Sequence, residues 1–83
     1  MENKKLVILG TGNIGTSIAD GLLDSKAFQP EDLILTRRKT ERLARFTEQG
    51  VLVTSDNVQA VRLSNILLIA VEPQQIDELL TEI

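Results

Sequence analysis

Eighty-three residues allow one small domain, and an apolar content of 42% with only two aromatics gives it an almost wholly aliphatic core. The chain has no Cys and no His, which excludes disulfides, thiolate metal sites and histidine acid–base chemistry; no catalytic residue and no metal site are expected. A formal net charge of −3 gives no reason to expect nucleic-acid binding, and no apolar run nears the roughly 20 residues of a membrane span, so a soluble, cytoplasmic protein is expected.

Lys5 to Leu9 is a short apolar run without alternation, which predicts a strand buried on both faces. Asn13 to about Ser25 predicts a helix, with Ile14, Ile18 and Leu22 on one face and Ala19 and Leu23 beside them. Gly21 inside that helix carries a local cost of about 1 kcal/mol, expected to be offset by close packing. After a loop at Gln29 to Asp32, Leu33-Ile34-Leu35 predicts a second buried strand.

Thr40 is the expected N-cap of the next element, whose inner face carries Leu43, Ala44 and Phe46 and which Gly50 ends. Val51 to Val53 predicts a brief strand, and Ser55 or Asp56 caps a short helix running through Val58 and Val61. Ile66 to Val71 is the strongest strand pattern. Pro73 then opens a last helix with Ile76, Leu79, Leu80 and Ile83 in one stripe.

Four strand–helix pairs predict an α/β, Rossmann-like doubly wound parallel sheet of order 3-2-1-4, with its crevice between strands one and four. Such a sheet normally continues, so residues 1–83 are expected to be a dinucleotide-binding domain or a truncated part of one.

The first turn carries the chemistry. Gly10-Thr11-Gly12-Asn13-Ile14-Gly15 is a G-x-G-x-x-G between a strand and a helix. Gly10 permits the tight turn, Gly12 lets a pyrophosphate approach the backbone, and Gly15 lets the helix pack on the strand. The free N–H groups and the positive dipole end of that helix favour a phosphate. The plain alternative is a structural glycine turn.

About 20 residues later, where an NAD site places an acidic residue at the end of the second strand, this chain has Thr36-Arg37-Arg38-Lys39. Guanidinium groups clamp a 2′-phosphate that a carboxylate would repel, and Thr36 adds a hydroxyl donor. NADP(H) is therefore the preferred cofactor, with NAD(H) as the alternative; solvated charges on an exposed helix face are the bland reading. Five of the nine basic residues fall between Arg37 and Arg45, whereas the last dozen residues hold Glu72, Asp77, Glu78 and Glu82 and no basic group. Ala70, Val71 and Pro73, at the fourth strand end, face the nicotinamide half or form an ordinary strand-to-helix turn. Asn57 either reaches the adenosine side or satisfies backbone groups at its helix start.

These residues resemble the N-terminal domain of the pyrroline-5-carboxylate reductase family. The likeness rests on the glycine turn ending Asn13-Ile14-Gly15, on Gly50-Val51 followed by Thr54 and Asp56-Asn57, and on Ser64-Asn65 before an apolar strand that ends Ala70-Val71-x-Pro73-Gln74. The resemblance spans essentially the whole chain. It implies an oxidoreductase that reduces 1-pyrroline-5-carboxylate to proline, in proline biosynthesis, with NADPH or NADH. It also implies pyrophosphate contacts from Gly10, Thr11, Gly12, Asn13, Ile14 and Gly15, and 2′-phosphate contacts from Thr36, Arg37 and Arg38. Asn57 would hold the adenine ribose, and Ala70, Val71 and Pro73 would line the nicotinamide side.

Glu72 stands where that family carries Lys. The family's helical C-terminal domain, which dimerises and completes the imino-acid site, has no counterpart in these residues, so a homo-oligomer is expected through that domain, with a monomer or association at an unpaired sheet edge as the alternatives for these residues, and the 83-residue chain is not expected to turn over substrate. Other readings are a deazaflavin-dependent NADP reductase and, in another class, a non-catalytic nucleotide-sensing module.

Overall fold

The strands Leu6–Leu9 (β1), Leu33–Thr36 (β2), Leu52–Thr54 (β3) and Ile66–Ile69 (β4) form one parallel sheet of order β3-β2-β1-β4. The computed structural model describes residues 4–70 and 73–83, apart from the side chains at 73, 74, 75 and 77. Parallel pairing demands crossovers, and the helices Asn13–Asp24 (α1), Ala44–Glu48 (α2) and Asn57–Leu63 (α3) supply them. Pro73–Glu82 (α4) follows β4. The order is the one the alternating pattern predicts. Val71, expected in β4, lies outside the described residues.

Unbroken apolar runs in β1 and β2 are explained by cover on both sides. Leu6, Ile8, Leu33 and Leu35 pack with Ala19, Leu43 and Phe46 beneath α1 and α2, while Val7, Leu9 and Ile34 pack with Ala60 of α3 and Leu79 of α4. Successive strand residues point to opposite faces, so each strand feeds two cores. Lys5 receives Asn65 and Ile66 at its carbonyl, which fixes the β1–β4 register beside Leu6↔Ile66.

Several local expectations change. Ile14 is 72% exposed rather than on the inner face, while Gly15 and Ala19 of the same helix are buried. Gly21 is exposed, and a Cβ there would meet nothing within 4 Å, so no close packing explains it.

Thr40 caps no helix; it is the first residue of a 3-10 turn, Thr40–Leu43, that leads into α2, and Ala44 is exposed. Gly50 follows α2 at φ +101°, a left-handed conformation that stops the helix. Of the stripe expected on α4, Leu79 is buried and Ile76 half-buried, while Leu80 and Ile83 are exposed. Asp56, not Ser55, caps α3, its carboxylate accepting from the Gln59 N–H at 3.0 Å.

Candidate functional site

The three glycines of the first turn do different things. Gly10 has φ +68°, which a side chain would strain, and its N–H donates to the Thr36 hydroxyl at 3.1 Å. Gly15 is a contact glycine: a Cβ there would lie 3.0 Å from Thr11 Cγ2, 3.3 Å from Ile8 Cγ2 and 3.4 Å from Ala70 Cβ. Gly12 has an ordinary negative φ of −101°, and its Cβ would meet nothing within 4 Å. Neither conformation nor protein packing requires glycine at 12. What its missing side chain leaves is space beside the start of α1, where no side chain caps the helix and the first-turn N–H groups keep their donors for an outside acceptor. The turn therefore fits an anionic ligand such as a dinucleotide pyrophosphate.

Across the carboxyl ends of β1, β2 and β3 lies a pocket of about 310 Å³, within the lower range of small-molecule sites (roughly 300–1,000 Å³). The glycine turn contributes Gly10, Thr11 and Gly12, the end of β2 contributes Thr36, Arg37 and Arg38, and the start of α3 contributes Ser55 and Asn57. From the other side come Glu78, Leu79 and Glu82 of α4. The crevice is expected between strands one and four; among the described residues this pocket lies instead on the β1–β2–β3 side. The strand four side runs into residues 71 and 72, which are not described.

Thr11 and Thr36 line the pocket and also tie the glycine turn to β2. Thr11 is fully buried; its N–H donates to the Thr36 carbonyl at 2.7 Å and its hydroxyl to the Ile8 carbonyl at 2.9 Å. Thr36 is buried as well, and its hydroxyl accepts from the Gly10 N–H. Both side chains pin the turn to β2, since buried polar groups must find partners inside.

Arg37 is half-committed. Its Nη1 donates to the Thr11 carbonyl at 3.2 Å and its N–H to the Thr54 carbonyl at 3.2 Å, tying together three strand ends. A guanidinium has five donors, so one bond to Thr11 leaves capacity toward the pocket. Arg38 is exposed at the rim. Arg45, at the far end of the basic cluster, makes two hydrogen bonds to Asp20, at 2.7 and 2.9 Å, and lies over the Phe46 ring at 4.1 Å.

Asn57 lines the pocket with its amide nitrogen on Glu82 Oε1 at 3.1 Å, while its Oδ1 is buried without a hydrogen-bond partner. Asn13 and Ile14 are exposed at the start of α1, outside the pocket lining. Ala70 stands on the β1–β4 side, its N–H on the Leu9 carbonyl at 3.0 Å and its Cβ close to Gly15. Val71 and Glu72 lie outside the described residues, as does the side chain of Pro73, whose backbone opens α4.

Ser55, Glu78, Leu79 and Glu82 were not expected here. Glu78 and Glu82 carry a faint signal, being four apart on a helix and flanking its one buried anchor, Leu79. Among the described residues no group of three or more His, Cys, Asp or Glu could hold a metal, and no helix is long and apolar enough to cross a membrane.

The sequence profile of the family described as "NADP oxidoreductase coenzyme F420-dependent" matches residues 5–83. The chain belongs to that family. Over its whole length this family member also resembles the N-terminal part of pyrroline-5-carboxylate reductases. It is 42% identical over 83 residues to pyrroline-5-carboxylate reductase 2 of Dictyostelium discoideum, covering 99% of this chain and 28% of that protein. It is 34% identical to pyrroline-5-carboxylate reductase 3 of Danio rerio, covering 95% of this chain and 27% of the relative. Among solved structures, a pyrroline-5-carboxylate reductase from Coxiella burnetii superposes with a TM-score of 0.83 at 28% identity, over 94% of this chain and 29% of that one. The chain therefore spans less than a third of the length of these relatives.

Proposed function

We propose that the chain is the NADP(H)-binding part of an oxidoreductase of the pyrroline-5-carboxylate reductase type, acting in proline biosynthesis. The observation that carries the cofactor assignment is the vacant Cβ space at Gly12 opposite the exposed Arg38 across one pocket. Gly12 and the first-turn N–H groups of Asn13, Ile14 and Gly15 would take the pyrophosphate. Arg38, with the free donors of Arg37, would take the 2′-phosphate, and Asn57 would face the adenine ribose. Gly10, Thr11 and Thr36 hold that geometry from below. A pocket of this size suits the adenosine half, and Ala70, Val71 and Pro73 would flank the nicotinamide half on the strand four side.

When bound, the nicotinamide supplies the hydride. This chain's residues bind the cofactor and orient it. They include no His or Cys, so acid–base chemistry on an imino substrate would fall to other residues of a complete enzyme.

A second reading, an F420-dependent NADP reductase (F420 being a deazaflavin), is favoured by the description of the matching family. The identities to pyrroline-5-carboxylate reductases favour the first. Both use the same pocket in the same way.

Calorimetric titration with NADPH and NADH at matched low salt tests the cofactor reading. Tighter NADPH binding, weakened at least about tenfold in Arg38→Ala by loss of a charged hydrogen bond, is the expected result. Equal affinities for the two would remove the 2′-phosphate assignment. Assay of the gene's full product with 1-pyrroline-5-carboxylate and with reduced F420 separates the two reductase readings.

A further inference from the structure

The pocket is lined on one side by cations and on the other by carboxylates of the chain itself. Leu79, only 5% exposed, anchors α4 against Val7, Leu9, Ile34 and Ala60. That anchor brings Glu78 and Glu82 into the lining that also holds Arg37 and Arg38. Glu82 Oε1 accepts from Asn57 Nδ2 at 3.1 Å, joining the last turn of α4 to the first residue of α3.

One feature makes this a contact that can be released. Asn57 Oδ1 is buried and has no partner, so the closed arrangement leaves an acceptor unsatisfied that opening would return to water or a ligand.

Resting on the reading of the pocket given above, we propose that the last turn of α4 is an intramolecular competitor of the dinucleotide. Glu82 occupies the Asn57 amide that faces the adenosine side. Glu78 and Glu82 together place negative charge where a phosphate-bearing ligand enters. Entry of the ligand lifts the last turn away, and the Asn57 side chain is freed for it. The two glutamates thereby set the affinity of the site for anionic nucleotides, without themselves holding the ligand.

The test uses the 83-residue chain and Glu82→Ala, an exposed position whose substitution spares the core. Two quantities are read: amide hydrogen exchange along α4, with β1 and β2 as internal reference, and calorimetric affinity for NADP+. Expected are exchange at least about tenfold faster in the last turn of α4, unchanged exchange in the strands, and NADP+ binding about fivefold tighter. Unchanged exchange in α4 overturns the latch, whatever the titration gives. Faster exchange with unaltered NADP+ affinity overturns the competition and leaves the pocket assignment standing. Faster exchange with no NADP+ binding to either protein overturns the pocket assignment, and the competition falls with it.

Discussion

Arg37 reaches across from the end of β2 to the Thr11 carbonyl, 3.2 Å from its Nη1, so a cation beside the pocket is also a clasp on the glycine turn. Arg38, next in the chain, is exposed at the rim with no such tie among the described residues. Adjacent arginines of the same charge thus have separable duties.

Arg38→Ala is expected to weaken NADPH binding roughly ten- to hundredfold, the worth of one charged hydrogen bond, with the thermal midpoint unchanged. Arg37→Ala is expected to weaken binding and also lower the midpoint, since the Thr11 carbonyl loses its donor. Titration and thermal melting of both variants check the division. A midpoint loss in Arg38→Ala would show that the two arginines are not separable.

Gly12→Ala and Gly15→Ala should behave oppositely. At Gly15 a Cβ meets Thr11 Cγ2 at 3.0 Å and Ile8 Cγ2 at 3.3 Å, both in a packed core, so overpacking costs about 1–3 kcal/mol in denaturant unfolding. At Gly12 a Cβ enters open space, so stability stays within about 0.5 kcal/mol while nucleotide binding falls at least about tenfold. Stability loss at Gly12 would mean that the turn, not the ligand, needs that glycine.

Thr36→Val keeps the volume of a buried side chain but removes the acceptor of the Gly10 N–H. The Gly10 N–H is part-buried, so loss of its partner costs about 0.5–1.5 kcal/mol, which equilibrium unfolding would register. Thr36→Ser, which keeps the oxygen, is expected to recover most of that loss.

The Asp20–Arg45 pair gives a pH signature. The hydrogen bond from Arg45 holds the Asp20 carboxyl below its ordinary value of 3.8. A folded-state value below the unfolded one means that the pair stabilises the protein above the unfolded value and ceases to do so as pH falls through the folded one. Both side chains are well exposed, at 53% and 43%, so the effect is small and screened by salt. The melting difference between the wild type and Asp20→Asn is expected near neutral pH and should fade in acid, once pH has dropped through the lowered folded-state value. A difference that persists after the carboxyl is protonated would assign it to packing on Phe46.

The sheet was legible because each strand is a short apolar run closed by a turn or a helix pattern, and the order β3-β2-β1-β4 follows from parallel crossovers. The glycine turn was legible for the same local reason. What local pattern did not disclose are relations across the chain. The Thr36 hydroxyl serves Gly10, which lies 26 positions away, and Asn57 is held by Glu82 at a separation of 25. Ile14 and Gly21 mislead in the opposite direction: the helical period marks them as inward or closely packed, but both are exposed. Periodicity tells which residues share a face, while the sheet's extent determines how much of that face is covered.

The most direct test follows backbone amide chemical shifts of the chain as NADP+ is added. The account predicts saturable shifts of Gly12, Asn13, Arg38 and Asn57 with one dissociation constant, and weaker ones with NAD+ that spare Arg38. Shifts confined to other parts of the surface, or none at all, would contradict it.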